Sequence, residues 1–152
     1  MNIFQSLDAS YKYFNRQLSA AFLKEGYGEI TFSSYQYLIA IYKLHKEGNL
    51  ATITEIAHRL SVKKSSVVEM VNTLLKTGYV IKHNSLTDKR RFTLELSEKG
   101  YRMMQIEAAF SENFLQFLYR PLNEEEIKTF EAVMEKIAIH LPGGSEWSDK
   151  NE

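Results

Sequence analysis

The sequence predicts a mainly α-helical fold that carries one small β-hairpin. Three observations point there. Apolar residues recur at spacings of three and four along most of the chain. Side chains that cap helices precede several of those runs, and residues 79–96 switch to the alternation of paired strands.

The first run is Phe4, Leu7, Tyr11, Phe14, Leu18 and Ala21. It forms a narrow a/d seam over nearly three heptads, the pattern of a helix that faces a partner helix. Gly26 and Gly28 close it. Ser33 and Gln36 have capping-box spacing ahead of a helix with Leu38, Ile41 and Tyr42 on one stripe. That helix ends near Gly48-Asn49. Thr52-Ile53-Thr54-Glu55 reads as a second capping box, opening a short helix with Ile56, Ala57 and Leu60 inward. Ser61-Val62-Lys63 makes a brief turn. The next helix starts around Lys64, turns Val67, Val71, Leu74 and Leu75 inward, and stops at Gly78 as a C′ glycine. Two short helices joined by a tight turn make a helix-turn-helix, and the small Ala57 lets them cross closely.

Residues 79–83 and 92–96 then read as two strands, with the polar, basic stretch 84–91 between them. A hairpin of this kind beside a helix-turn-helix is a wing. Lys89, Arg90 and Arg91 stand together near its tip, where like charges repel unless an anion is near. Ser97 caps a long helix with Met103, Ile106, Phe110, Phe114 and Phe117 or Leu118 on its apolar side, and Pro121 breaks it. Asn123 and Glu124 to Glu126 open the last helix, whose seam is Ile127, Phe130, Met134, Ile137 and Leu141.

Charge is distributed unevenly although it sums to zero. Residues 52–96 hold eight Lys/Arg against four Asp/Glu, and residues 120–152 hold four against eight. A basic middle beside an acidic end suggests a local patch for a polyanion. The absence of cysteine excludes disulfides, thiolate metal ligands and thiol redox sensing. No run of about 18 apolar residues exists, so no membrane partner is expected. The N-terminal stretch lacks the features of a secretory signal, and a cytoplasmic location is expected by elimination.

The order and spacing of five segments resemble the MarR family of bacterial regulators over about residues 30–140. They are Ser33-Ser34-Tyr35-Gln36 with Leu38, residues 52–60, residues 62–74 closing at Gly78-Tyr79-Val80, Asp88-Lys89-Arg90, and residues 96–100. The resemblance implies a winged helix-turn-helix with N- and C-terminal dimerisation helices. It divides the chain into an N-terminal dimerisation helix (1–30), a DNA-binding domain (31–100) and C-terminal dimerisation helices (101–141), while the polar stretch 142–152 reads as a disordered tail. It further implies a homodimer that binds double-stranded DNA at a pseudo-palindromic operator, with the second helix of each unit in the major groove and each wing in the minor groove. Two positions depart from the family pattern. Lys63 stands where a Ser-type cap is usual, and Glu69 where a basic or polar residue is common.

On this expectation the DNA contacts are Lys63, Lys64, Ser65 and Ser66 at the helix start, where the dipole also favours an anion. Glu69, Asn72 and Thr73 project from the same helix away from Val67, Val71 and Leu74. Asn72 suits adenine and Glu69 suits cytosine N4. Lys82, Asp88, Lys89, Arg90 and Arg91 belong to the wing. Arg90 is expected in the minor groove with its guanidinium steadied by Asp88, and Lys89 and Arg91 on phosphates. The resemblance also suggests a small aromatic or lipophilic effector between the arms and the DNA-binding lobe. Tyr11, Phe14, Tyr37, Tyr42, Phe110 and Phe114 are candidate lining residues, and core or dimer packing is the alternative role for each.

No cofactor and no metal site are expected. The four histidines, His45, His58, His83 and His140, are scattered without metal-ligand spacing. No phosphate loop, G-x-S-x-G or H-E-x-x-H occurs, so an enzyme is not expected. A winged-helix module that binds protein without DNA stays open at this point.

Overall fold

The computed structural model describes residues 1–88 and 90–141; Lys89 and the expected tail 142–152 lie outside the described residues. The elements run α1 (Ile3–Lys24), α2 (Phe32–Lys46), α3 (Ile53–Leu60), α4 (Lys64–Lys76), β1 (Val80–Asn84), β2 (Phe92–Leu96), α5 (Glu98–Tyr119) and α6 (Glu124–His140). The strands pair antiparallel, Val80 opposite Leu96 and Asn84 opposite Phe92. Ala51 adds a one-residue bridge to Leu94, so the segment entering α3 lies along the outer edge of β2.

Capping chemistry sets the helix starts, with two corrections to the sequence expectation. At α2 the box is Thr31 with Ser34, not Ser33 with Gln36. The Thr31 hydroxyl accepts the Ser34 amide at 3.1 Å, and Ser34 Oγ accepts the Thr31 amide at 2.9 Å. The short serine that closes the box is itself buried beside the cap. At α3 only half of the expected box forms. Thr52 Oγ1 accepts the Glu55 amide at 3.2 Å, while the Thr52 amide donates to the Leu50 carbonyl, so Glu55 has no donor to reach back for. Ser97 and Asn123 cap α5 and α6 as expected.

The head of the molecule is built around α2. Leu38, Ile41 and Leu44 meet Ile56 of α3, Val67, Val71 and Leu74 of α4, and Leu94 of β2, all buried in one core. His45 joins it differently: its Nε2 donates to the Leu94 carbonyl at 2.7 Å, tying α2 to the hairpin. The turn between α3 and α4 depends on Ser61, which adopts the left-handed conformation at φ +52° although it is not glycine. Its amide and that of Val62 donate back to His58 and Ala57, which ends α3 within one turn. Arg59 forks onto the Glu47 carboxylate and braces α3 against the end of α2.

The arms divide their apolar residues between this chain and open surface. The α1 seam was expected to face a partner helix throughout. Its C-terminal half instead packs inward: Leu18 and Phe22 are buried in the head, and Phe14 stands edge-on to Phe32, Phe110 and Phe114. The reason is that α2 and α5 bring aromatic rings to that end of α1. The first turns, with Ile3, Phe4, Leu7 and Tyr11, stay exposed, as does Leu23 near the other end. Helix α6 has no buried residue at all, and Phe130, Met134, Ile137 and Leu141 are each at least 40% exposed.

Candidate nucleic-acid interface

Helix α4 has two sharply different faces. Val67, Val71 and Leu74 are sealed in the core, which fixes the rotation of the helix about its axis. Lys64, Ser65, Ser66, Glu69, Asn72 and Thr73 consequently lie on the exposed side, with Lys63 just before them. Lys63 is the N-cap and makes no side-chain cap bond; the Ser66 amide donates to the Lys63 carbonyl at 3.0 Å, and the Lys64 and Ser65 amides stay open to an outside acceptor. This is what the departure from a Ser-type cap does. Thr73 is partly engaged: its hydroxyl donates to the Glu69 carbonyl at 3.2 Å, leaving it an acceptor only. No such internal bond holds Asn72 among the described residues.

The wing is organised by Ser85 and Asp88. Ser85 Oγ accepts the amides of Thr87 and Asp88 at 3.3 and 3.2 Å, and the Ser85 amide donates to the Arg91 carbonyl at 2.9 Å. The Arg91 amide returns to the Asp88 carbonyl at 3.0 Å, closing a tight turn. The expected fork between Asp88 and the Arg90 guanidinium is not what forms. Asp88 Oδ1 accepts the Arg90 backbone amide at 2.9 Å, and its other oxygen pairs with Arg91 Nε at 3.6 Å. The carboxylate therefore steadies Arg90 through its backbone, and the exposed side chain is left outward. Lys82 lies with its ammonium 4.3 Å from the ring centroid of Phe92, the β2 residue next to the wing turn.

A groove of about 720 Å³ lies between the wing and the start of α3, lined by Thr52, Ile53, Thr54, His83, Arg90 and Arg91 among others. Sequence reasoning placed Arg90 and Arg91 but missed the α3 start. The signal was there: with Thr52 accepting only the Glu55 amide, the amides of Ile53 and Thr54 have no intrahelical partner and face outward as donors. His83 is occupied by Glu95 across the strands at 2.9 Å.

The six candidate effector residues separate into groups. Tyr11, Phe14, Phe110 and Phe114 gather in one aromatic cluster with Phe32. Tyr42 meets Tyr101 instead, at 6.3 Å between centroids, and Tyr37 is buried in the head. An open groove of about 620 Å³ runs between α1 and α5, and of the six only Phe110 lines it; Lys24, Tyr27, Arg102 and Asn113 are among its other walls. Burial pushes the Tyr35 hydroxyl above its ordinary pKa, with the nearby Glu107 carboxylate adding to the shift. The described residues contain no group of three or more His, Cys, Asp or Glu that could hold a metal ion, and no helix among them is long and apolar enough to cross a membrane.

This arrangement superposes on solved regulators over nearly its whole length. A cysteine-to-serine mutant of MarR from Escherichia coli, complexed with operator DNA, matches 92% of this chain and 94% of its own, with a TM-score of 0.67 at 21% identity. The chain has the MarR fold. MarR of Staphylococcus aureus, in complex with salicylate and kanamycin, shares that fold with a TM-score of 0.70 at 22% identity, covering 88% of this chain and 86% of its own. A family model described as the N-terminal DNA-binding domain of iron-dependent repressors matches residues 29–86, under half of the chain, which is the α2-to-β1 portion of the MarR fold. The HTH-type transcriptional regulator PrsX of Escherichia coli is 26% identical over 112 residues. The match covers 74% of this chain, which thus spans 66% of that relative's length.

Proposed function

We propose that this protein is a sequence-specific DNA-binding transcriptional regulator that acts as a homodimer, represses, and is released by a small aromatic or lipophilic ligand. The observation that carries the reading is the polarity of α4. Its apolar face is locked into the core, its outer face presents Lys64, Ser65, Ser66, Glu69 and Asn72, and a wing with exposed Arg90 and Arg91 stands beside it. The Lys64 and Ser65 amides and the wing arginines seat phosphates, and the Asn and Glu side chains read base edges. The uncovered apolar stripe of α6 and the first turns of α1 suit a second copy, since large apolar surfaces of this kind are rarely left to water. A dimer built there would present two heads to a pseudo-palindromic operator in double-stranded DNA, with recognition helices about 34–36 Å apart. An effector would act by favouring a dimer geometry that misses this spacing. The aromatic cluster of Tyr11, Phe14, Phe110 and Phe114 supports an aromatic ligand beside it, and the complex of Staphylococcus aureus MarR with salicylate and kanamycin supports a small aromatic effector.

The test is selection of bound duplexes from a random pool with purified protein, followed by a salt titration on the enriched sequence. The expected result is an inverted repeat, with affinity falling about 10³–10⁵-fold between 50 and 200 mM salt as counterions are released. Failure to enrich any repeat, with salt-independent binding to a protein partner, would establish the interaction-module alternative.

A further inference from the structure

Lys99 stands where both arms leave the head. Its Nζ donates to Glu29 Oε1 at 2.7 Å and to the Thr77 carbonyl at 3.0 Å, and it lies 4.2 Å from the Tyr79 ring centroid. Glu29 belongs to the loop between α1 and α2, Thr77 is the C-cap of α4, and Lys99 itself is in the first turn of α5. One ammonium therefore joins the entry of the head, the end of the recognition helix and the exit into the second arm. Its neighbours repeat the connection. Ser97 Oγ donates to the Gly78 carbonyl at 2.6 Å, and the Ser97 amide donates to the Tyr79 carbonyl at 2.9 Å.

The joint is not a core element. The side chains of Lys99 and Glu29 are 38% and 40% exposed, and ion pairs at such exposure add little to stability. Its effect is on angle. Helix α4 has 13 residues, which at about 1.5 Å per residue makes a lever of roughly 20 Å. A rotation of about 10° at the Thr77 end moves the Lys64 end by roughly 3 Å, close to the ~3.4 Å rise of one base pair.

We propose that Lys99 is a positioning residue for operator recognition: by joining Glu29, the Thr77 carbonyl and the Tyr79 ring it holds α4 at one angle to α5 and so sets the separation of the two reading heads. This rests on the dimeric DNA-binding reading above. It assigns Lys99 no contact with DNA.

The chain has no cysteine, so Ser65→Cys gives one spin-label site per protomer at the far end of the lever. Pulsed spin–spin distance measurement without DNA is made in three backgrounds: otherwise wild type, Lys99→Met, which keeps the stem, and Lys99→Arg, which keeps the donors. A narrow distribution is expected for the first and third, and one at least about twice as broad for Lys99→Met. In the second arm, unlabelled proteins are titrated with the selected duplex and with duplexes whose half-site spacing differs by one base pair. Wild type and Lys99→Arg should lose at least about tenfold on the altered spacing, and Lys99→Met less than about threefold, with about fivefold weaker binding at the native spacing. An equally narrow distribution and an unchanged spacing penalty in Lys99→Met would overturn the proposal, whatever its melting temperature. If no inter-label distance appears, the dimer reading falls and the proposal with it; if a distance appears but no duplex is enriched, it is the DNA reading that falls and takes the proposal along.

Discussion

Replacing Gly100 with alanine separates two opposing effects. Gly100 lies in the first turn of α5 with helical backbone, and on propensity alone Gly→Ala in a helix gains about 1 kcal/mol. The structure reverses the sign. A Cβ at this position would fall well inside 3.0 Å of the Tyr79 carbonyl oxygen and 3.3 Å from the Leu96 Cβ. The first obstacle is backbone and cannot rotate away, so α5 and the α4–β1 junction must part by about half an ångström to reach even 3.0 Å. Overpacking of this kind costs about 1–3 kcal/mol. The displacement also stretches the Ser97 amide bond to the Tyr79 carbonyl and the Ser97 hydroxyl bond to the Gly78 carbonyl, each worth about 1 kcal/mol. Setting these losses against the propensity gain leaves a net destabilisation of about 1–3 kcal/mol. For a chain of this length that lowers Tm by roughly 3–10 °C. The assay is thermal unfolding followed by circular dichroism at one fixed protein concentration, because association shifts Tm by mass action. An unchanged or raised Tm for Gly100→Ala would refute the claim that this glycine exists to let α5 pass the end of α4.

Arg90→Ala should weaken operator binding by about 1–3 kcal/mol with no change in Tm, measured by gel-shift titration, since Arg90 makes its only described internal bond through the backbone. Ile137→Glu, on the bare face of α6, should shift the chain from dimer to monomer in sedimentation equilibrium; an unaltered dimer would remove α6 from the interface. The Lys99 ammonium, through its hydrogen bond, holds the Glu29 carboxyl down to about 2 from its ordinary 4.5, helped by backbone and Tyr79 contacts. A depressed carboxylate stabilises above its unfolded pKa, so this contribution is complete above about pH 4.5 and is lost as pH falls toward about 2. Because the pair is exposed and screened it amounts to about 1 kcal/mol. Glu29→Gln should therefore melt lower than wild type at pH 7, and the gap should close between about pH 4.5 and 2.

The parts of this molecule that the sequence reveals are those governed by local periodicity. The 3/4 spacing of Val67, Val71 and Leu74 dictates which side of α4 is buried, and hence which side carries Lys64, Glu69 and Asn72. Ser97 and Asn123 are legible as caps because each precedes a periodic run by the right interval. Thr31 was missed because Thr-x-x-Ser and Ser-x-x-Gln overlap at this helix start, and burial of Ser34 decides between them. At the wing, Asp88 could be recognised as a partner of Arg90, but whether it holds the fork or the amide depends on the Ser85-centred turn. The divided role of α1 was out of reach for a related reason: Phe32, Phe110 and Phe114 come from distant segments to cover Phe14. Lys99 and Glu29, 70 positions apart, left no local trace.

Helix α6 buries none of its residues within its own chain. A 17-residue helix of that kind is marginal in water by itself and gains stability chiefly from what it packs against. In the proposed dimer its persistence is therefore tied to protein concentration. There, high concentration keeps α6 folded and resistant to proteases, whereas dilution unwinds it and exposes its backbone to cleavage, so scarcity of the protein would accelerate its own removal.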